Sequence, residues 1–213
     1  MTYLEICNKV LTRLREPTVT SVQQNPYSQL IGEFVNVVKR EVEDTYNWSA
    51  LRSTITVTTT ANIYSYTLTG STTRMRIFDV HNDTSDSELR YQTTNWFDRM
   101  FQSNTPTVAS PMYYNLNGVS TNGDHQVDLF PIPDAVYAVR FNIYKPQADL
   151  VADLDIIQVP YQVVVEGAVA RAISERGDDG GYTEQELRYN RVLSDCIAIE
   201  AGNRPDETIW YSI

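Results

Sequence analysis

Histidine and cysteine are nearly missing from this 213-residue chain, which has two of each: His81, His125, Cys7 and Cys196. Two thiols so far apart, with no CxxC pair, make no metal signature. HExxH, GxSxG, a Walker loop and GxGxxG are all absent, and with them the spacings that assemble metalloprotease, α/β-hydrolase and nucleotide chemistry. Both histidines are expected at the surface, and no Ser/His/Asp set is favoured over another. Basic residues are scarce too, 17 against 27 acidic ones, for a net charge of −10. Tight nucleic-acid binding needs a basic face that displaces counterions, and Lys9 and the Lys39-Arg40 pair are isolated on mixed helices. No run approaches the ~20 apolar residues of a membrane span. The opening Met1-Thr2-Tyr3-Leu4-Glu5 lacks the basic region of a signal peptide. The expectation is a protein that is not an enzyme, with no cofactor, no metal and no membrane contact. Buried free thiols fit assembly in a reducing cytoplasm.

What is present is an ordinary core-forming fraction, 42% apolar, and an unusual number of tyrosines, 14. Tyrosine is amphipathic and enriched at interfaces, and it also suits sheet surfaces. The first helix reads from Tyr3 to about Arg15. Thr2 and Glu5 have the spacing of a capping box, Leu4, Cys7, Leu11 and Leu14 make an apolar stripe, and Glu16-Pro17 stops it. Asn25-Pro26 starts a second helix that runs to about Tyr46, with Leu30, Phe34, Val37, Val38 and Val42 as its stripe and Ile31 and Val35 widening it. After Asn47-Trp48-Ser49 the period changes. Thr54–Thr60, Ile63–Leu68, Met75–Val80, Leu89–Gln92, Met112–Leu116, Val127–Phe130 and Val136–Tyr144 read as short strands. Asn122-Gly123 reads as a tight turn with both residues at positive φ. Thr94–Phe101 interrupts the strands as one amphipathic helix. Pro160 opens a third long helix, whose Gly167, Ala168, Ala170 and Ala172 allow close approach of a neighbour. Thr183 and Glu186 form a second capping box and start a fourth, which ends near Gly202.

The expected fold is α+β: a four-helix bundle from both chain ends, with an inserted antiparallel β-sandwich or barrel-like domain and an extended C-terminal tail. The bundle takes residues 1–50 and 150–204, the insertion 51–149, and the tail 205–213. Three acidic groups, Asp83/Asp86/Glu88, Asp149/Asp153/Asp155 and Asp178/Asp179/Glu184, lack calcium-loop spacing and read as solvated loops. In the tail, Thr208, Ile209, Trp210, Tyr211 and Ile213 are large and mostly apolar, and such groups need a partner. They pack on their own subunit, or dock in a groove or on a sheet edge of another protein. A carbohydrate-binding or carbohydrate-active sandwich, using Trp96 and the tyrosines, is a further alternative, although no paired carboxylate motif supports it.

Several segments resemble the tail tubular protein A family of phage head-to-tail adaptors. Ile6 to Pro17, with its late Glu-Pro, is similar to the family's first helix. Tyr46-Asn47-Trp48-Ser49-Ala50-Leu51-Arg52 is similar to its tryptophan-centred helix exit. Ser110-Pro111-Met112-Tyr113-Tyr114 and Leu129-Phe130-Pro131-Ile132-Pro133-Asp134 are similar to its strands, and Tyr161 to Ala172 to its small-residue helix. The likeness covers nearly the whole chain in order, except the tail. It implies a dodecameric ring in the virion, between the portal protein and the tail nozzle or lower tail protein. Duplex DNA passes through that ring without tight binding, and no cofactor or catalytic residue is involved. Another neck or tail component of the virion is the neighbouring reading.

Overall fold

The first helix starts where the sequence predicts. The Thr2 side chain accepts the Glu5 N–H, and the Glu5 carboxylate accepts the Thr2 N–H at 2.9 Å, so each satisfies a donor the helix start leaves open. In a computed structural model, which describes residues 1–102, 106–177 and 181–203, this helix, α1, spans Tyr3–Arg13. It stops short of Arg15 because Arg15 itself turns left-handed, at φ 60°. The Arg15 N–H then reaches the Thr12 carbonyl and the Glu16 N–H the Leu11 carbonyl, a terminator that acts before Pro17 is reached. Its buried residues are Tyr3, Ile6, Cys7, Val10 and Leu11. Leu4 and Leu14, expected in the stripe, are half-buried.

Asn25 caps the second helix, α2 (Pro26–Thr45), and Ser28 completes the reciprocal pair. Ile31, Val35, Val38 and Val42 form its buried line, while Leu30, Phe34 and Val37 are half-buried. The helix is thus rotated from the expected stripe toward the two residues read as its margin. At its end the buried Trp48 donates its indole N–H to the Val42 carbonyl at 2.7 Å, one of the acceptors a helix terminus leaves open.

The chain divides into two compact units, Met1–Leu51 with the chain from Gln147 onward, and Arg52–Pro146. The second contains β1 (Arg52–Thr58), β2 (Ser65–Thr67), β3 (Arg76–Asn82), β4 (Ser87–Glu88), β5 (Arg90–Tyr91), α3 (Thr94–Phe101), β6 (Tyr113–Val119), β7 (His125–Phe130) and β8 (Ala138–Tyr144). One sheet has the order β1-β8-β3-β4 and is antiparallel throughout. The other is β2-β7-β6-β5 and is mixed, because β5 runs parallel to β6. The wholly antiparallel expectation fails at this pair, where α3 and its flanking loop supply the long crossover that parallel neighbours need. Val57, Val80, Val139, Phe141 and Ile143 share one core with Leu68, Tyr114, Val127 and Leu129. The turn at Asn122-Gly123 also differs. The Gly123 N–H bonds the Ser120 carbonyl, the Ser120 N–H bonds the Asp124 carbonyl, and of the two residues only Gly123 has positive φ, 86°. It is a three-residue hairpin loop.

In the first unit the chain returns through α4 (Tyr161–Arg176) and α5 (Tyr182–Gly202). Every residue from Val163 to Ala170 is buried, because α1, α2 and α5 all pack on α4. The small-residue stretch has the expected purpose. A Cβ at Gly167 would sit 2.6 Å from Val38 Cγ1 and 2.9 Å from Tyr189 Cε2, so glycine sets how close α2 and α5 come. The Thr183–Glu186 box does not start α5: Gly181 is the cap residue, with no side-chain cap, and Thr183 lies inside the first turn. No α5 residue is fully buried; Tyr189, Val192, Leu193, Cys196 and Ile197 pack on the core from its inner side.

Candidate assembly interface

The face of α2 beside its apolar line holds the returning chain. Lys39 and Glu43 are completely buried and paired at 3.1 Å. The Lys39 ammonium also donates to the carbonyls of Gln147 (2.8 Å) and Ala148 (3.0 Å), and Glu43 Oε1 accepts the Gln147 N–H at 3.2 Å. One turn earlier Asn36 donates to the Leu150 carbonyl at 3.0 Å and accepts the Leu150 N–H at 2.9 Å. Arg40 pairs with Asp149 outside. Helix side chains here do what a partner strand would do, meeting the backbone groups of 147–150.

The segment that follows is likewise tied down. Asp153 accepts the Val22 N–H at 2.9 Å. Asp155 accepts the Val151 and Ala152 N–H groups, both at 2.8 Å, and these bonds hold its carboxyl below the usual range. Asp149, Asp153 and Asp155 thus tie the loop down, while Asp149 keeps the exposure expected of a solvated loop. Their bonds raise a loop whose Val151, Leu154 and Ile156 face solvent. On α5, Leu187 and Ile199 are exposed as well.

Between α1 and α5, over α4, lies a groove of about 880 Å³ lined by Met1, Lys9, Arg13, Tyr161, Val165 and Val192 among others. At one end Glu166, nearly out of water, is met by Arg13, by Arg188 at 3.3 Å and by Gln185 at 2.7 Å. Burial alone pushes its carboxyl up; the Arg13 and Gln185 hydrogen bonds and the two cations outweigh this and hold it below the ordinary range. Toward the other end the Lys9 ammonium lies 4.9 Å from the Tyr161 ring centre.

In the unit Arg52–Pro146, Phe78, Tyr91, Met112 and Val136 are exposed, and the Arg52 guanidinium covers the Phe78 ring at 4.9 Å. Trp96 is no open platform for a sugar: it is half-buried against Phe97, Tyr113 and Phe130. The His81 side chain is 39% exposed, at the surface as expected, whereas His125 is half-buried, and its backbone N–H bonds Ser71 Oγ at 2.8 Å. Burial pushes the Cys7 thiol up to about 12, helped by Asp153, and raises Cys196, the direction of unreactive thiols. Among the described residues no group of His, Cys, Asp and Glu is placed to hold a metal ion, and no helix is long and apolar enough to cross a membrane. Thr208, Ile209, Trp210, Tyr211 and Ile213 lie outside the described residues. Sequence reasoning missed the Lys39–Glu43 clamp and the Glu166 cluster, whose partners come from distant segments.

No curated protein matches this chain. The family model described as SU10 adaptor protein matches residues 1–207, and the chain therefore belongs to this family of structural phage head-to-tail adaptors.

Proposed function

We propose that this chain is a connector subunit of a tailed bacteriophage, forming a dodecameric ring between the portal protein and the tail nozzle. In this reading α1, α2, α4 and α5 form one bundle, the two sheets close face to face as a sandwich inserted at 51–149, and residues 205–213 are a docking tail. The observation that carries it is the distribution of exposed apolar side chains. Val151, Leu154 and Ile156 stand on one loop, and Leu187 and Ile199 on α5. A ring joins unlike faces of identical copies, and separate apolar patches on one subunit suit that better than a single self-complementary patch. Thr208, Ile209, Trp210, Tyr211 and Ile213 insert into the portal as an extended segment. Twelve weak contacts acting together make a firm joint. Duplex DNA passes through the centre, and a net charge of −10 favours sliding over binding.

The test is electron microscopy of particles with and without residues 206–213. Twelve copies at the neck of complete particles, and portals that lose the adaptor when the tail is removed, are the expected results. Placement of the chain outside any ring overturns the proposal. Undiminished attachment of the shortened chain removes the tail from it.

A further inference from the structure

The groove between α1 and α5 lies beside the end of α5. Glu200, in the last turn of α5, lines a small depression together with Met1 and Tyr161, and Met1 and Tyr161 also line the groove. The helices explain this: α5 runs antiparallel to α4, so the C-terminal end of α5 meets Tyr161, the first residue of α4. The last turn of α5 thus stands beside the Tyr161 end of the groove.

The groove's chemistry is specific. Its floor is Val165, Val192 and the Tyr161 ring. Arg13 is committed to Glu166, whereas Lys9 stands exposed over Tyr161, with Glu5 one turn away on the same wall. The segment after α5 reads Asn203-Arg204-Pro205 and then Asp206-Glu207-Thr208-Ile209-Trp210-Tyr211-Ser212-Ile213, so that beyond one arginine and the proline two acids are followed by mostly apolar and aromatic groups. The order matches, with acids for Lys9 and apolar groups for the floor. Length agrees as well: eight extended residues span up to ~26 Å, and α1, one wall of the groove, has 11 residues, or about 16 Å at 1.5 Å each.

We infer that, in the free subunit, the groove between α1 and α5 is occupied by the subunit's own residues 206–213. The tail is stored there and is handed over when a better partner competes for it. Tethering raises the tail's effective concentration at the groove to roughly millimolar, so a weak intrinsic contact suffices. Storage also shields Ile209, Trp210 and Tyr211, which would otherwise be an adhesive patch on every unassembled copy. This storage is independent of what takes the tail afterwards.

Amide hydrogen exchange on the full-length chain tests it, with a synthetic peptide of residues 204–213 as reference. Exchange of residues 208–213 is expected to be slowed about tenfold relative to the peptide, equally at every protein concentration. Two variants should restore peptide-like exchange: Lys9→Glu, which reverses the charge, and Thr12→Trp, which fills the groove from an exposed position on α1. Amides of α2 and α4 should stay as protected as in the unmodified chain, showing the variants are folded. Peptide-like exchange in the unmodified chain overturns the inference. So does protection that grows with concentration, which makes a second copy the occupant, or protection that survives both variants, which puts the tail elsewhere.

Discussion

Lys39 and Glu43 sit one helical turn apart on α2, joined at 3.1 Å with neither side chain reaching water. The ammonium hydrogens have three acceptors, Glu43 and the carbonyls of Gln147 and Ala148. Removing the cation leaves a buried carboxylate and two carbonyls without their donor. Lys39→Met should therefore destabilise the fold by about 3–5 kcal/mol, the usual result of breaking one side of a buried pair. Replacing both, as Lys39→Met with Glu43→Leu, should recover part of the loss, because no charge is then stranded. Urea unfolding of the two variants measures this. A double variant no better than the single one would show that the backbone carbonyls, not Glu43, are the main partners.

Gly167 should resist replacement. Helix propensity alone favours alanine over glycine by about 1 kcal/mol. The added methyl, however, meets Val38 Cγ1 at 2.6 Å and the Tyr189 ring at 2.9 Å. Gly167→Ala should lower stability by about 1–3 kcal/mol, as overpacked cores do. The sign decides the matter in a thermal melt: a gain in Tm would mean that α2 and α5 part without cost.

The contrast between these sites shows what a sequence can reveal. The Thr2–Glu5 cap and the Asn25-Pro26 start are legible because each depends on residues within four positions of one another. Gly167 was legible because small residues cluster around it. Thr183 and Glu186 have the same spacing as Thr2 and Glu5, yet the helix begins two residues too early for the box to close. Arg15 ends α1 through a left-handed turn that nothing in its side chain announces. Lys39 reads as an isolated surface cation because its acceptors, Gln147 and Ala148, are more than a hundred positions away. The groove was invisible for the same reason: Lys9, Tyr161 and Val192 come from three helices that the sequence does not orient. Thr208 to Ile213 lie outside the described residues.

Trp48 offers a test of helix termination. Its indole N–H bonds the Val42 carbonyl at 2.7 Å, in a buried setting. Trp48→Phe keeps most of the apolar volume and deletes this donor, while the Thr45 hydroxyl still donates to the Val42 carbonyl at 2.8 Å, so about 1 kcal/mol should be lost from the missing bond and the smaller ring. Exchange of the last turn of α2 should accelerate more than that of its middle. Uniform acceleration along α2 would assign the effect to packing alone.

Glu166 links stability to pH. Its carboxyl is held below the ordinary 4.5, because bonds and charge from Arg13, Gln185 and Arg188 more than offset burial. A carboxyl depressed by folding binds its proton more readily in the unfolded chain. Its contribution is therefore complete above the ordinary value and is lost as pH falls through the lower folded value. Glu166→Gln removes this linkage and leaves Arg13 without its carboxylate. The variant should be less stable than the unmodified chain near neutrality, and the gap should narrow as pH drops below about 4.5. Unfolding midpoints in urea across the acid range measure the gap directly. A gap independent of pH would mean that Glu166 acts through its shape and hydrogen bonds, with its charge contributing nothing net.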